Sequence, residues 1–165
     1  MFIPFDQLPS HSRIWIYQSD RKLTTEEATE VSTIFQSFCH QWEAHGQRLQ
    51  TSFKIELNQF LILSVDEGVA NASGCSIDGS VRILKNFQTK GIDFLNPANI
   101  GFFIEGQVQL YPHTELKNLF ATGKISAETI TFNNLVATKQ EFENNWKTPV
   151  QKSWLSKYLQ KSISR

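Results

Sequence analysis

Apolar residues recur along this chain in two periods, every second position in short runs and every third or fourth in longer ones. RIWIYQ (13–18), rich in β-branched and aromatic residues, predicts a strand. Beyond a polar connection, Thr24 with Glu27 three positions on has the form of a capping box and opens a helix. Val31, Ile34, Phe35, Phe38, Trp42 and His45 make its apolar stripe, and Gly46 is the expected stop. TSFKIEL (51–57) alternates as a half-buried edge strand does, whereas QFLILSV (59–65) is almost continuously apolar, as a central strand is. Val81, Ile83, Leu84 and Phe87 mark a second helix, with Ser76 or Asp78 as its expected N-cap. GFFIE (101–105), Gly106 and QVQLY (107–111) read as a hairpin.

The order is β-α-β-β-α-β with one extra strand, which predicts an α+β protein with a ferredoxin-like core over 1–112. In that arrangement the first and third strands lie mid-sheet, and here those are the two most apolar candidates. Residues 1–12 read as an irregular arm anchored by Phe2, Ile3 and Phe5. Over 113–165 the pattern predicts a mostly helical extension of the same single domain. It comprises ELKNLFAT closed by Gly123, a short strand TITF (129–132), and helical KQEFENNW and VQKSWLSKYLQ. Two helices cover only one face of a sheet whose central strands are apolar on both. The aromatic C-terminal part, with Trp154, Leu155, Tyr158 and Leu159 on one stripe, is therefore expected on the other face.

Composition narrows the function classes. With 165 residues, 40% hydrophobic and 19% charged, the chain buries a sizeable core without a staple. Sixteen basic and sixteen acidic residues cancel, which argues against a nucleic-acid binder acting through bulk positive charge. The charge is uneven, however: from Lys139 onward six basic residues face Glu141 and Glu143, a net of +4 against −4 in residues 1–138. Cys39 and Cys75 read as thiols of a reducing cytoplasm. The start has no basic segment followed by an apolar run, and FLILSV is far shorter than the ~18 residues of a membrane helix. A cytoplasmic protein with no membrane partner, no nucleic-acid partner and no cofactor is the expectation. A free sheet edge is a candidate route to a dimer.

Candidate chemistry concentrates in SVDEGVANASGCSIDGSV (64–81), a strand end, a loop of small residues and a helix start. Asp66 and Glu67 at the strand end, with Gly74, Ser76 and Asp78 at the helix start, suit a small or anionic ligand. The alternative to a site is a tight connection in which glycine and serine supply unusual dihedrals and caps. A phosphate-binding loop needs G-x-x-x-x-G-K-[ST]. Five residues, not four, separate Gly68 from Gly74, and Cys75 stands where the lysine would. At a helix start Cys75 is a candidate nucleophile, with Asp78 or His45 as orienting group, so a thiol enzyme competes with a non-catalytic binding module. No CxxC, HxxxH or HExxH provides a metal site.

RIWIYQSDRKL, FLILSVDE, SGCSIDGSV, DFLNP and FNNLVATKQEFENNW together resemble a family of small bacterial proteins of unknown function. SGCSID and NNLVATK are its most specific segments, and the resemblance covers nearly the whole chain. Its members are often labelled ABC transporter ATPases. The residues do not support that label: there is no phosphate-binding loop and no LSGGQ-type signature, and the VDE at 65–67 has no partner motif. The resemblance supplies no catalytic residues.

Overall fold

The computed structural model describes residues 1–44, 46–68 and 74–163, with residues 44, 74–76 and 160–163 described by backbone alone. The elements, in chain order, are β1 (Arg13–Gln18), α1 (Thr25–Gln41), β2 (Glu43–Ala44), β3 (Gln47–Arg48), β4 (Gln50–Glu56), β5 (Phe60–Asp66) and α2 (Gly74–Gln88). They continue with β6 (Asn99–Ile104), β7 (Gln107–Pro112), α3 (Leu116–Ala121), β8 (Ile130–Phe132), α4 (Lys139–Asn145), β9 (Lys147–Pro149) and α5 (Ser156–Ile163). The protein is thus α+β. It divides into two compact units, one of 1–96 with 134–143 and one of 97–133 with 144–165.

In the first unit β1, β5 and β4 form an antiparallel sheet in the order β1-β5-β4. β5 is central, and all seven of its residues are buried. Leu61, Leu63 and Val65 face α1 and α2, meeting Val31, Phe35, Cys39, Leu84 and Phe87. Residues opposite one another across strands share a face, so Trp15 and Tyr17 of β1 and Phe53 and Ile55 of β4 join that core. Phe60, Ile62 and Ser64 point the other way and are fully buried, as is Ser52 beside Ser64. On that face Lys54 lies 4.8 Å from the ring centre of Phe5 and 5.6 Å from that of Phe142. The N-terminal arm and α4 therefore contribute to its cover.

The arm is held by its backbone. Phe2 bridges Thr51 in parallel, with Ile3 N–H donating to Thr51 O at 2.9 Å. Buried Lys139 donates to Leu8 O at 2.7 Å and Asp6 O at 3.2 Å, so its charge is met by backbone carbonyls. The far edge of β1 is occupied by residues 137–139: Ile14 N–H donates to Ala137 O, and Lys139 N–H donates to Ser12 O. That edge is where the fourth strand of the expected core would pair. The candidate for it, 101–105, lies in a different sheet.

Thr24 and Glu27 form the capping box, with both reciprocal bonds made. Arg21 adds a two-pronged contact to the Glu27 carboxylate at 2.8 and 2.7 Å. The Arg21 guanidinium, and then the Thr24 amide, hold the Glu27 carboxyl down to about 2, below its ordinary value. A carboxyl lowered in the folded state stabilises above its unfolded pKa and stops doing so as the pH falls through the folded one. Glu27→Ala is accordingly expected to cost about 1 kcal/mol near neutral pH, a figure set by the cap and an exposed ion pair. The deficit should shrink as the pH falls from above 4.5 towards 2, and paired thermal melts at neutral and acid pH check it.

Helix α1 ends at Gln41, five positions before the expected stop at Gly46. Trp42 turns extended, and Gly46, at φ +76°, makes the bend of the two-residue ribbon β2–β3 instead of a helix cap. Trp42 packs on Phe38 and Trp15, which keeps it in the core although it has left the helix.

The second unit has a four-stranded antiparallel sheet in the order β7-β6-β8-β9. The expected hairpin is β6–β7, turning at Glu105 and Gly106, both at positive φ. Phe102, Leu116, Leu119, Ile125, Val150 and Leu155 form the core, and α3 and α5 lie on it. Leu155 is fully buried, and the Tyr158 ring stacks on Phe120 at 5.4 Å. These tail residues belong to this unit's own core, whereas the arm and α4 lie over the second face of the first sheet. Trp154, expected on the same buried stripe, is 53% exposed because it precedes α5 and the helical phase has not begun. Strand β9 carried no sequence signal: it is three residues long and contains Pro149.

Candidate functional site

The end of β5 gathers opposite charges. Asp66 is buried; its Oδ1 accepts from Gly68 N–H at 2.8 Å and lies 3.3 Å from His11 Nε2. Glu67 meets Arg13 Nη1 at 3.4 Å, and the Arg13 guanidinium lies 4.7 Å from the centre of the Trp15 ring. The β1–β5 register brings these residues to one end of the sheet: Arg13 is opposite Val65, so the positions just past the ladder, His11 among them, run beside Asp66 and Glu67. Gly68 is closely approached by the Asp66 and His11 side chains. A Cβ there would stand 3.0 Å from Asp66 Oδ1 and 3.4 Å from His11 Nε2. The arrangement offers an exposed imidazole and a half-exposed guanidinium, each oriented by a carboxylate behind it.

Of the residues that the sequence pointed to, Asp66 and Glu67 come together, and Asp78 is exposed in α2. Helix α2 begins at Gly74, so Ser76 and Asp78 lie within it rather than at its cap. Residues 69–73, the side chains of Cys75 and Ser76, and His45 lie outside the described residues. Among the described residues no three His, Cys, Asp or Glu side chains are grouped to hold a metal ion. Nor, among them, is any helix long and apolar enough to cross a membrane. His11 and Arg13 were not legible as site residues, because more than fifty positions separate them from their partners and only strand pairing joins them.

Arg13 also opens onto a cleft of about 270 Å³ that runs along β1 and is closed opposite by Asn134, Leu135, Val136 and Ala137. Asn134 is tied to Gln18 at 3.3 Å, while Leu135 is 92% exposed. Cys39 contributes no chemistry. Burial pushes its thiol up to about 12, against the Thr51 hydroxyl that acts in the opposite direction, so it is a packed thiol of the helix core.

Compared with protein-family models, curated proteins and solved structures, the chain matches none.

Proposed function

We propose that the protein is a non-catalytic module binding a small anionic ligand at residues 66–78 and the adjoining end of β1. The observation that carries this is Arg13, whose guanidinium is oriented by Glu67 and lines the cleft beside 134–137. His11, whose Nε2 meets Asp66, presents an exposed ring two residues along the chain from it. Both acids already have basic partners, which fits anion capture by the bases better than metal binding or proton abstraction by the carboxylates. The reading also joins the two segments that carry the family resemblance. Of SGCSID (73–78), residues 74–78 open α2, and of NNLVATK (133–139), residues 134–137 form the far wall of the cleft. The order β1-β5-β4 supports a ferredoxin-like arrangement for the first unit, with residues 137–139 standing in for the fourth strand.

The test is a thermal-shift series with inorganic phosphate, nucleoside phosphates and small carboxylates. A ligand at about a hundred times its Kd stabilises the native state by about 2.7 kcal/mol, a clear rise in Tm. Arg13→Ala should abolish the rise, and Cys75→Ser should leave it unchanged. A rise that survives Arg13→Ala, or depends on Cys75, would sink the proposal and favour thiol chemistry.

A further inference from the structure

Neutrality of the whole chain conceals a partition between the units. The second unit holds seven Lys and Arg against three acidic residues, a net of +4, and the first holds nine against thirteen, a net of −4. The positive unit also displays aromatic rings at its surface. His113, just before α3, stacks on Trp154, just before α5, at 5.9 Å and 17° between planes, and both are exposed. Phe120 of α3 stacks on Tyr158 of α5 at 5.4 Å and 9°, both rings half-buried against the unit's core. Lys157 lies 5.2 Å from the centre of the Trp154 ring and 5.6 Å from that of Tyr158. Lys124 lies 5.1 Å from the Tyr111 ring.

We propose that the exposed Trp154–His113 pair of the second unit, with Lys157 beside it, binds single-stranded nucleic acid without sequence preference, a base stacking on the outer face of the pair while Lys157 meets a phosphate. Three observations favour that occupant. Flat rings interleaved with lysines are what unstacked bases on a polyanionic backbone require. A duplex keeps its base faces internal and so cannot use the rings. An anionic membrane would need a free apolar helix face, but Leu155, Tyr158 and Leu159 are packed into the unit's core. The positive charge that bulk composition denied is present locally, on the unit that carries the rings.

The experiment is fluorescence anisotropy of a labelled oligothymidine and of a labelled duplex, titrated with the full chain at low and moderate salt. The expectation is a Kd on the order of 1–100 μM for the single strand, weaker duplex binding and a loss of affinity with added salt. Trp154→Ala should weaken single-strand binding about tenfold and Trp154→Phe should restore most of it, as expected for stacking. Lys157→Gln should weaken it and lower the salt slope by about one. Because Trp154 is exposed, an unchanged Tm verifies that each variant is folded. No anisotropy change at low salt would overturn the proposal, as would tighter duplex binding or indifference to Trp154→Ala. So would exclusive binding to phosphatidylserine-containing vesicles, which would make the face a membrane surface.

Discussion

Deleting residues 150–165 is expected to unfold the second unit. The deletion removes Val150 and Leu155, both fully buried against Phe102, Leu116 and Leu119, and the Tyr158 ring stacked on Phe120. Each buried aliphatic side chain of that size contributes about 1.5–3 kcal/mol, and an aromatic ring adds to the total. The bonds from Val150 N–H to Thr129 O and from Gln151 N–H to Ala127 O are lost with them. The sum is a large part of the ~5–15 kcal/mol that holds a domain folded. What remains exposes Phe102 and its neighbours as an apolar patch, so the shortened chain should elute as aggregates and lose its cooperative melt. Leu155→Ala separates packing from truncation. It should remain folded while losing about 2–5 kcal/mol in denaturant unfolding. A shortened chain that stays monomeric and melts like the full one would show the tail to be an appendage.

Ile62→Ala and Leu63→Ala, neighbours on β5, should cost nearly the same, about 2–5 kcal/mol each. In a strand with one wet face, adjacent residues differ sharply, because side chains alternate between faces. Here Leu63 lies in the α1–α2 core, Ile62 points to the opposite face, and both are fully buried. Ile55→Ala on the edge strand β4, where the side chain is only half-buried, should cost less. Urea unfolding of the three variants decides it. If either β5 variant falls within about 0.5 kcal/mol of the parent, burial on both faces is wrong.

The elements governed by local chemistry were legible in the sequence. The Thr24–Glu27 box, the extended run of β4, the unbroken apolar run of β5, the β6–β7 hairpin and the closing turn at Gly123 each follow from a few neighbouring residues. The place of Asp66 and Glu67 at a strand end was likewise legible. For all of these the deciding interactions lie within one helical turn or one strand width.

Tertiary pairing decided the rest. Apolar periodicity says that a residue is buried, not against what. The same stripe in 154–159 could have covered the first sheet, yet Leu155 and Tyr158 pack on Phe102, Leu116 and Phe120. The far edge of β1 accepts 137–139 rather than 101–105, a choice between two backbones that no side-chain pattern encodes. The partners of Asp66 and Glu67 emerge only when the register of β1 on β5 is set, since it brings His11 and Arg13 across a long chain separation. Charge is similar: the sequence by itself determined the excess of lysine towards the C-terminus, while the fold placed Lys157 over Trp154 and Lys124 over Tyr111. The physical reason is common to all four. Burial, backbone bonding and charge totals are properties of residue type and short spacing, whereas the identity of a contact depends on loop closure between distant segments, which the local sequence does not specify.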